Sequence, residues 1–231
     1  MKAIYTDGTY LRNNPTWHEE ESAWKANLVA KMLNKNGVSP SAVCDVGCGA
    51  GGVIESLAAI LSGETVFYGY EISPQAFEIC RKKETERLHF FLGDVLEQPQ
   101  QTFDVILALD VFEHVPDYLG FLSKLREKAA LKVFHIPLDL SVQWVLLSRP
   151  LLHVRTSFGH LHYFSKETAL ATLNESGYQI LDHVYTGITT ELPTRDWKGA
   201  FMRVVRKASF SVHQDLTVRI LGGYSLLVLA R

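Results

Sequence analysis

Apolar positions first recur at helical spacing. Between residues 18 and 36, Trp24, Leu28 and Met32 repeat every fourth position with Val29 and Leu33 beside them. That spacing predicts an amphipathic helix ending before Gly37. From residue 42 the texture changes. Short apolar runs at 42–46, 66–70, 88–92, 104–109 and 131–136 alternate with helical patterns. Runs this continuous suit parallel strands whose two faces are both covered by helices. Ser73 is placed to cap one crossover helix, with Pro74 at its first position and Phe77 and Cys80 pointing inward. Pro116 opens another, whose inward stripe is Tyr118, Leu122, Leu125 and Ala129.

Beyond residue 137 the pattern loosens. Residues 138–164 are rich in Leu, Trp, His and Arg, are broken by Pro150 and Gly159, and read as an insert. Ser165 then caps a helix carrying Leu170 and Leu173 that closes at Gly177. Two further strands are expected at 178–185 and 224–230. Residues 186–222 separate them, far more than the roughly 2–5 residues of a hairpin loop, so a second insert is expected.

Composition narrows the class. With 231 residues, 47% hydrophobic and 21% charged, the chain is long enough for one domain with a full core. Lys and Arg number 23 against 25 Asp and Glu, a net charge of −2, which speaks against a strongly cationic nucleic-acid protein. Three cysteines, Cys44, Cys48 and Cys80, make no disulfide framework, and a reducing cytoplasm is the expected setting. The N-terminal residues carry no secretion-type apolar run, and no stretch reaches the ~18 apolar residues of a membrane helix.

The chemistry gathers where strands end. The first strand runs into D-V-G-C-G-A-G-G at 45–52 and then a helix, a turn that brings backbone N–H groups close to a ligand. Gly47, Gly49 and Gly52 fit G-x-G-x-x-G, and Glu71 lies the roughly 20 residues further on expected of a ribose-binding acid, so an NAD-type oxidoreductase is one reading. Acids at successive strand ends favour another. Asp45 stands before the glycines, where a carboxylate suits an ammonium group and not a pyrophosphate. Glu71 can take two vicinal ribose hydroxyls, and Asp94 an exocyclic adenine amino group while the Val95 N–H donates to the ring. Asp110 follows the fourth strand; a helix cap or a solvated strand end is its ordinary alternative.

These pieces, with Y-E-I-S at 70–73, L-G-D-V at 92–95 and L-D-V-F-E-H-V-P-D at 109–117, resemble the successive motifs of class I S-adenosylmethionine-dependent methyltransferases. The resemblance is to the small-molecule branch typified by quinone-biosynthesis enzymes. It covers about residues 40–137 well and extends more weakly to H-L-H-Y-F-S at 160–165. It implies that Asp45, Gly47, Gly49 and Gly51 hold the methionine part of the cofactor S-adenosylmethionine, and Glu71 and Ile72 its ribose. It likewise implies Asp94 and Val95 at the adenine, with Leu109, Asp110 and Val111 beside the sulfonium. The expected fold is α/β: a Rossmann-like, seven-stranded, mostly parallel sheet with helices on both faces and an antiparallel last strand. One domain spans 1–231, with 1–38 as an N-terminal cap helix and 138–164 and 186–222 as helical inserts over the pocket.

Methyl transfer from a sulfonium is an in-line displacement, and an acceptor protonated at neutral pH needs a base. Of the nine histidines, His114 lies just beyond the fourth strand and is the candidate general base, a locally bonded helix-start residue being the alternative. His135, inside an apolar strand, reads as a hydrogen-bonded core histidine. Trp17, His18, His160 and His162 are candidate walls of the acceptor pocket. No metal is expected: Asp110 lacks the downstream Asp-Asn pair of catechol-type enzymes, and no His/Cys pair has zinc spacing.

The 109–112 segment lacks the Asn/Asp-Pro-Pro-aromatic signature of base methylation, so no nucleic-acid partner is expected. Trp144, Leu146, Leu147, Leu151, Leu152, Phe158 and Phe201 point to a small, partly apolar acceptor, most simply methylated on oxygen. Arg195, Lys198, Arg203, Arg206 and Lys207 could meet an anionic head group or membrane surface, a solvated helix face being the plainer account. A non-catalytic cofactor-binding protein of the same fold is the third reading. The oligomeric state is left open.

Overall fold

The computed structural model describes residues 3–61, 63–98, 100–192 and 197–231. Its strands are β1 (Ala42–Val46), β2 (Val66–Glu71), β3 (Leu88–Leu92), β4 (Phe103–Leu109), β5 (Ala129–Pro137), β6 (Ile180–Thr186) and β7 (Ser225–Ala230). They form one seven-stranded sheet in the order β3-β2-β1-β4-β5-β7-β6. β1 pairs in parallel with both β2 and β4, and β4 with β5. β7 lies between β5 and β6 and runs antiparallel to both. Crossovers therefore leave β1 in opposite directions, and the crevice this opens at the carboxyl ends of β1 and β4 is where an open α/β sheet takes a ligand.

The helices are α1 (Ala3–Thr6), α2 (Thr9–Asn13), α3 (Glu19–Lys35), α4 (Gly52–Ile60), α5 (Pro74–Cys80), α6 (Tyr118–Leu125), α7 (Val142–Leu147), α8 (Arg149–Ser157), α9 (Lys166–Glu175), α10 (Ile188–Glu191), α11 (Trp197–Val212) and α12 (Gln214–Leu221). Strand side chains alternate between two core layers. Phe134 and Ile136 face Leu122, Leu125 and Leu173, whereas Val133 and Leu107 face Val29, Leu33, Ile54 and Leu57. The apolar stripe predicted around Leu33 is what docks α3 on the second layer.

Local signals act largely where expected. Ser73 Oγ accepts from the Ala76 N–H with Pro74 at the first position of α5, and Ser165 with Thr168 forms a capping box on α9. Two boundaries differ. Asp117, not Pro116, caps α6 by accepting from the Gly120 N–H, and Ala129 opens β5 instead of completing the stripe of α6. Pro116 fixes the approach to the helix without entering it.

The N-terminal region is three helices, not one. Between α2 and α3, Trp17 and His18 adopt left-handed backbone with φ of 48° and 58°. This turn lays α1 and α2 back over the sheet edge, where Tyr5 Oη donates to the Phe158 carbonyl and Asn14 Nδ2 to the Ser157 carbonyl. The two later inserts are helical as expected, but several of their apolar residues turn outward: Leu146 is 78% exposed and Phe201 64%, whereas Trp144, Leu151 and Phe158 are half-buried. Of the basic stretch, Arg195 lies outside the described residues, as does the neighbouring Asp196. Arg203 Nε donates to the Thr190 carbonyl and Arg206 Nε to the Gly222 carbonyl, so both tie α11 down, while Lys207 is exposed.

Candidate functional site

A cavity of about 300 Å³ opens at the carboxyl ends of β1, β2 and β4. Asp45, Gly47, Gly49, Glu71, Ile72, Asp94, Val95, Leu109, Asp110, Val111, His114, Trp17 and His18 all line it. Gly51, His160 and His162 are not among its walls. Gly51 serves the turn instead: at φ +79° a Cβ there would lie 2.7 Å from the Phe90 ring and 2.9 Å from Cys80. His162 Nε2 lies 3.0 Å from the Val115 carbonyl oxygen, and His160 sits behind His114 with ring centroids 4.9 Å apart. The expected apolar residues of the inserts, Trp144, Leu146, Leu147, Leu151, Leu152, Phe158 and Phe201, are likewise absent from the lining.

The glycine turn and second strand are locked together. Glu71 Oε2 accepts from the Gly49 N–H at 2.8 Å and Oε1 from the Ser73 N–H at 2.7 Å. Burial raises the Glu71 carboxyl despite these bonds. Asp45, buried on the neighbouring strand, is pushed up to about 8, first by burial and then by the charge of Glu71. Two buried acids facing one cavity disfavour each other's ionised form, and a cation between them relieves both. Asp94 Oδ1 accepts from the Leu96 N–H, which orients the carboxyl at the end of β3.

Asp110 is neither a simple cap nor a solvated end. Its backbone is left-handed at φ 56°, its Oδ2 lies 2.8 Å from Lys25 Nζ, and its Oδ1 lies 2.6 Å from His135 Nδ1. His135 Nε2 in turn lies 2.8 Å from Thr186 Oγ1, so the core histidine is hydrogen-bonded at both nitrogens. Burial alone would raise the Asp110 carboxyl, but His135 and Lys25 outweigh it and hold it well below the usual carboxylate range. Lys25 also meets Glu21 at 3.1 Å, and against its burial these two acids keep it firmly protonated.

His114 is largely buried at the cavity wall. Burial, and then the neighbouring His160, push its pKa down to about 4, so the imidazole is neutral at pH 7. Tyr5 stands edge-on to it with ring centroids 5.9 Å apart. Tyr5, Tyr10, Ser22 and Lys25 complete walls that the sequence reading missed. The one signal for them was the Glu21/Lys25 pair at i, i+4 on the leading helix, which marks a charged face but not its partner.

Comparison with known proteins follows the same lines. A family profile described as Methyltransferase domain matches residues 16–183. A probable chloroplastic tocopherol O-methyltransferase of Oryza sativa subsp. japonica is 35% identical over 98 residues, 39% of this chain and 26% of that protein. A mitochondrial ubiquinone biosynthesis O-methyltransferase of Schizosaccharomyces pombe is 34% identical over 101 residues, 41% of this chain and 36% of that protein. The chain thus spans only about a quarter to a third of the length of these relatives. Among solved structures, magnesium protoporphyrin IX methyltransferase from Synechocystis PCC 6803 with bound SAH superposes with a TM-score of 0.60 at 18% identity, covering 95% of this chain and 85% of that one. At that identity the likeness is one of fold.

Proposed function

Since the chain belongs to the methyltransferase-domain family, we propose that it transfers the methyl group of S-adenosylmethionine to an oxygen of a small, partly apolar metabolite. The observation that carries the reading is the pair of buried acids lining one cavity: burial and Glu71 push Asp45 up to about 8, Lys25 offsets them only in part, and the ammonium of such a cofactor supplies the remaining positive charge. An NAD-type ligand would bring a pyrophosphate into this acidic cavity, and the family match gives that alternative no support. The O-methyltransferase names of two relatives support oxygen as the acceptor atom.

When bound, S-adenosylmethionine supplies an electrophilic methyl carbon. The residues of this chain orient and shield. Asp45 and the Gly47 and Gly49 turn hold the amino-acid end, Glu71 and Ile72 the ribose, and Asp94 with the Val95 N–H the adenine. Leu109, Asp110 and Val111 flank the reacting end, where an ion-paired Asp110 keeps its charge close to a sulfonium. Trp17 and His18 close the cavity from the N-terminal side together with Tyr5 and Tyr10, which excludes water from the displacement. Neutral His114 takes the acceptor's hydrogen bond. With a pKa near 4 it is a weak base for a hydroxyl, so proton removal needs help from its surroundings.

We further place the protein in the cytoplasm, as one methyltransferase domain over 1–231 with a small-molecule acceptor and no nucleic-acid partner. Among the described residues no helix is long and apolar enough to cross a membrane. Incubation with the donor labelled at its methyl group and a panel of phenolic and carboxylic metabolites tests the reading. Label should move to an acceptor oxygen; a wild-type protein that binds the cofactor product yet labels nothing in the panel or in a cell extract would make it a binding protein.

A further inference from the structure

We infer that His135, braced by Thr186, is a positioning residue that holds the Asp110 carboxylate at the reacting end of the cofactor, and that Asp110 thereby makes the cavity prefer the charged methyl donor to its neutral product. The inference rests on the methyltransferase reading and adds to it a means of releasing the product.

Asp110 is held where an aspartate does not stay unaided. Its φ of 56° is left-handed, a sparsely populated conformation for a residue with a side chain, and one that persists where the surroundings impose it. His135 imposes it twice. The Asp110 N–H donates to the His135 carbonyl at 2.9 Å, and Nδ1 of the same histidine lies 2.6 Å from Asp110 Oδ1. One residue thus fixes both the backbone and the side chain of the turn. Lys25 meets the other oxygen at 2.8 Å, so the carboxylate is fixed in rotation by donors from two different elements.

His135 is itself braced. It is 4% exposed, and its Nε2 lies 2.8 Å from Oγ1 of Thr186, which is 1% exposed at the end of β6. Trp24 of α3 stands edge-on to the imidazole with ring centroids 6.0 Å apart, and Trp24 Nε1 donates to Glu191 of α10 at 2.8 Å. In a strand with Val133, Phe134 and Ile136 around it, a histidine satisfied at both nitrogens rigidifies what it bonds. What it bonds at the cavity is Asp110.

The strand order puts this carboxylate where a charge matters. β1 carries the acid assigned to the amino-acid end of the cofactor and β2 the acid assigned to the ribose, and the sulfur joins those two parts. β4 is the other neighbour of β1, and a Cβ at Gly47 would lie 3.3 Å from Val111 Cγ2, so the turn that bears Asp110 packs on the glycine loop. Asp110 lines the cavity there. Lys25 stands between Asp110 and Glu21, and two carboxylates with one ammonium leave a negative excess beside the sulfonium. Methyl transfer breaks the C–S bond and leaves its electron pair on sulfur, so the product is neutral at that atom. The carboxylate then has no charge to attract, and affinity for the product falls below that for the donor. This contact is made in the ground state, so it governs donor and product binding and not the chemical step.

The full-length protein is titrated calorimetrically with S-adenosylhomocysteine, which is neutral at the reacting sulfur, and with sinefungin, which shares its two ends but bears an ammonium where the donor carries its methyl group. The wild type should bind sinefungin about tenfold more tightly, a modest effect for one close charge near a protein surface. Asp110→Asn, which keeps the shape, should bring the ratio to within about twofold of unity, and His135→Leu should lower it at least about threefold. His135→Asn, whose amide N–H can stand where Nδ1–H stood, should restore most of the preference, and Thr186→Val should fall between the two. Affinity for S-adenosylhomocysteine should change by less than about threefold in the His135 and Thr186 variants, since the neutral ligand makes no use of the charge. Should His135→Leu fail to fold, Thr186→Val and Asp110→Asn carry the comparison. A wild type without preference, or variants that weaken both ligands equally and leave the ratio unmoved, would make His135 a structural residue and overturn the inference. Binding of neither ligand by the wild type would remove the cofactor reading on which it stands.

Discussion

Lys25 Nζ lies 2.8 Å from Asp110 Oδ2, and this contact joins the helix that precedes the sheet to the loop that ends its fourth strand. The ammonium also meets Glu21 at 3.1 Å, so one half-buried cation holds two acids at the rim of the cavity. Lys25→Met removes the ammonium between Glu21 and Asp110 and leaves only His18 beside the one and His135 beside the other. The expected loss of stability is about 2–3 kcal/mol, since breaking one side of a buried pair costs more than the pair itself is worth. Denaturant unfolding with an unchanged slope checks this, and Lys25→Met with Asp110→Asn should recover part of the loss.

Glu71 does two things at once, tying the glycine turn to β2 and facing the cavity. Glu71→Ala should weaken binding of S-adenosylhomocysteine by ~1–3 kcal/mol through lost charge-assisted hydrogen bonds. Calorimetry reads this directly, and unchanged affinity would remove Glu71 from the site.

Asp45 makes cofactor binding depend on pH. With its pKa pushed up to about 8, the free protein holds a proton there at pH 7, and a ligand ammonium beside it favours the ionised form. Binding therefore releases a proton below pH 8. Affinity for S-adenosylhomocysteine should rise from pH 6 towards pH 8 and level off above. Heats measured in two buffers of different ionisation enthalpy should differ for the wild type and converge for Asp45→Asn.

Gly51 tests the turn without touching the cavity. A Cβ there meets Phe90 at 2.7 Å in a left-handed backbone, so Gly51→Ala should cost roughly 2–4 kcal/mol, beyond the strain of positive φ alone. A melting temperature equal to the wild type would show that β3 gives way more easily than the packing implies.

The sheet was legible because parallel strands buried on both faces leave continuous apolar runs, and the acids were legible because they sit where those runs stop. Both are local signals. Tyr5, Tyr10 and Lys25 were not, since nothing near them in sequence says that α1 and α2 fold back over a strand end that follows them by many residues. The apolar insert residues misled for a related reason: Leu146 and Phe201 have the composition of a pocket wall, but composition does not say which way a helix turns. His135 read correctly as a bonded core histidine, yet its partners Asp110 and Thr186 come from two other strand ends, a juxtaposition made only by the order of β4, β5, β7 and β6.

The central claim is that the acidic crevice at the ends of β1 and β2 takes an adenosyl ligand with an ammonium group. Parallel calorimetric titrations of the wild-type protein with S-adenosylhomocysteine and with NAD test it most directly. The account predicts saturable one-to-one binding of S-adenosylhomocysteine, weakened in Glu71→Ala, and no binding of NAD; saturable binding of NAD with none of S-adenosylhomocysteine would contradict it.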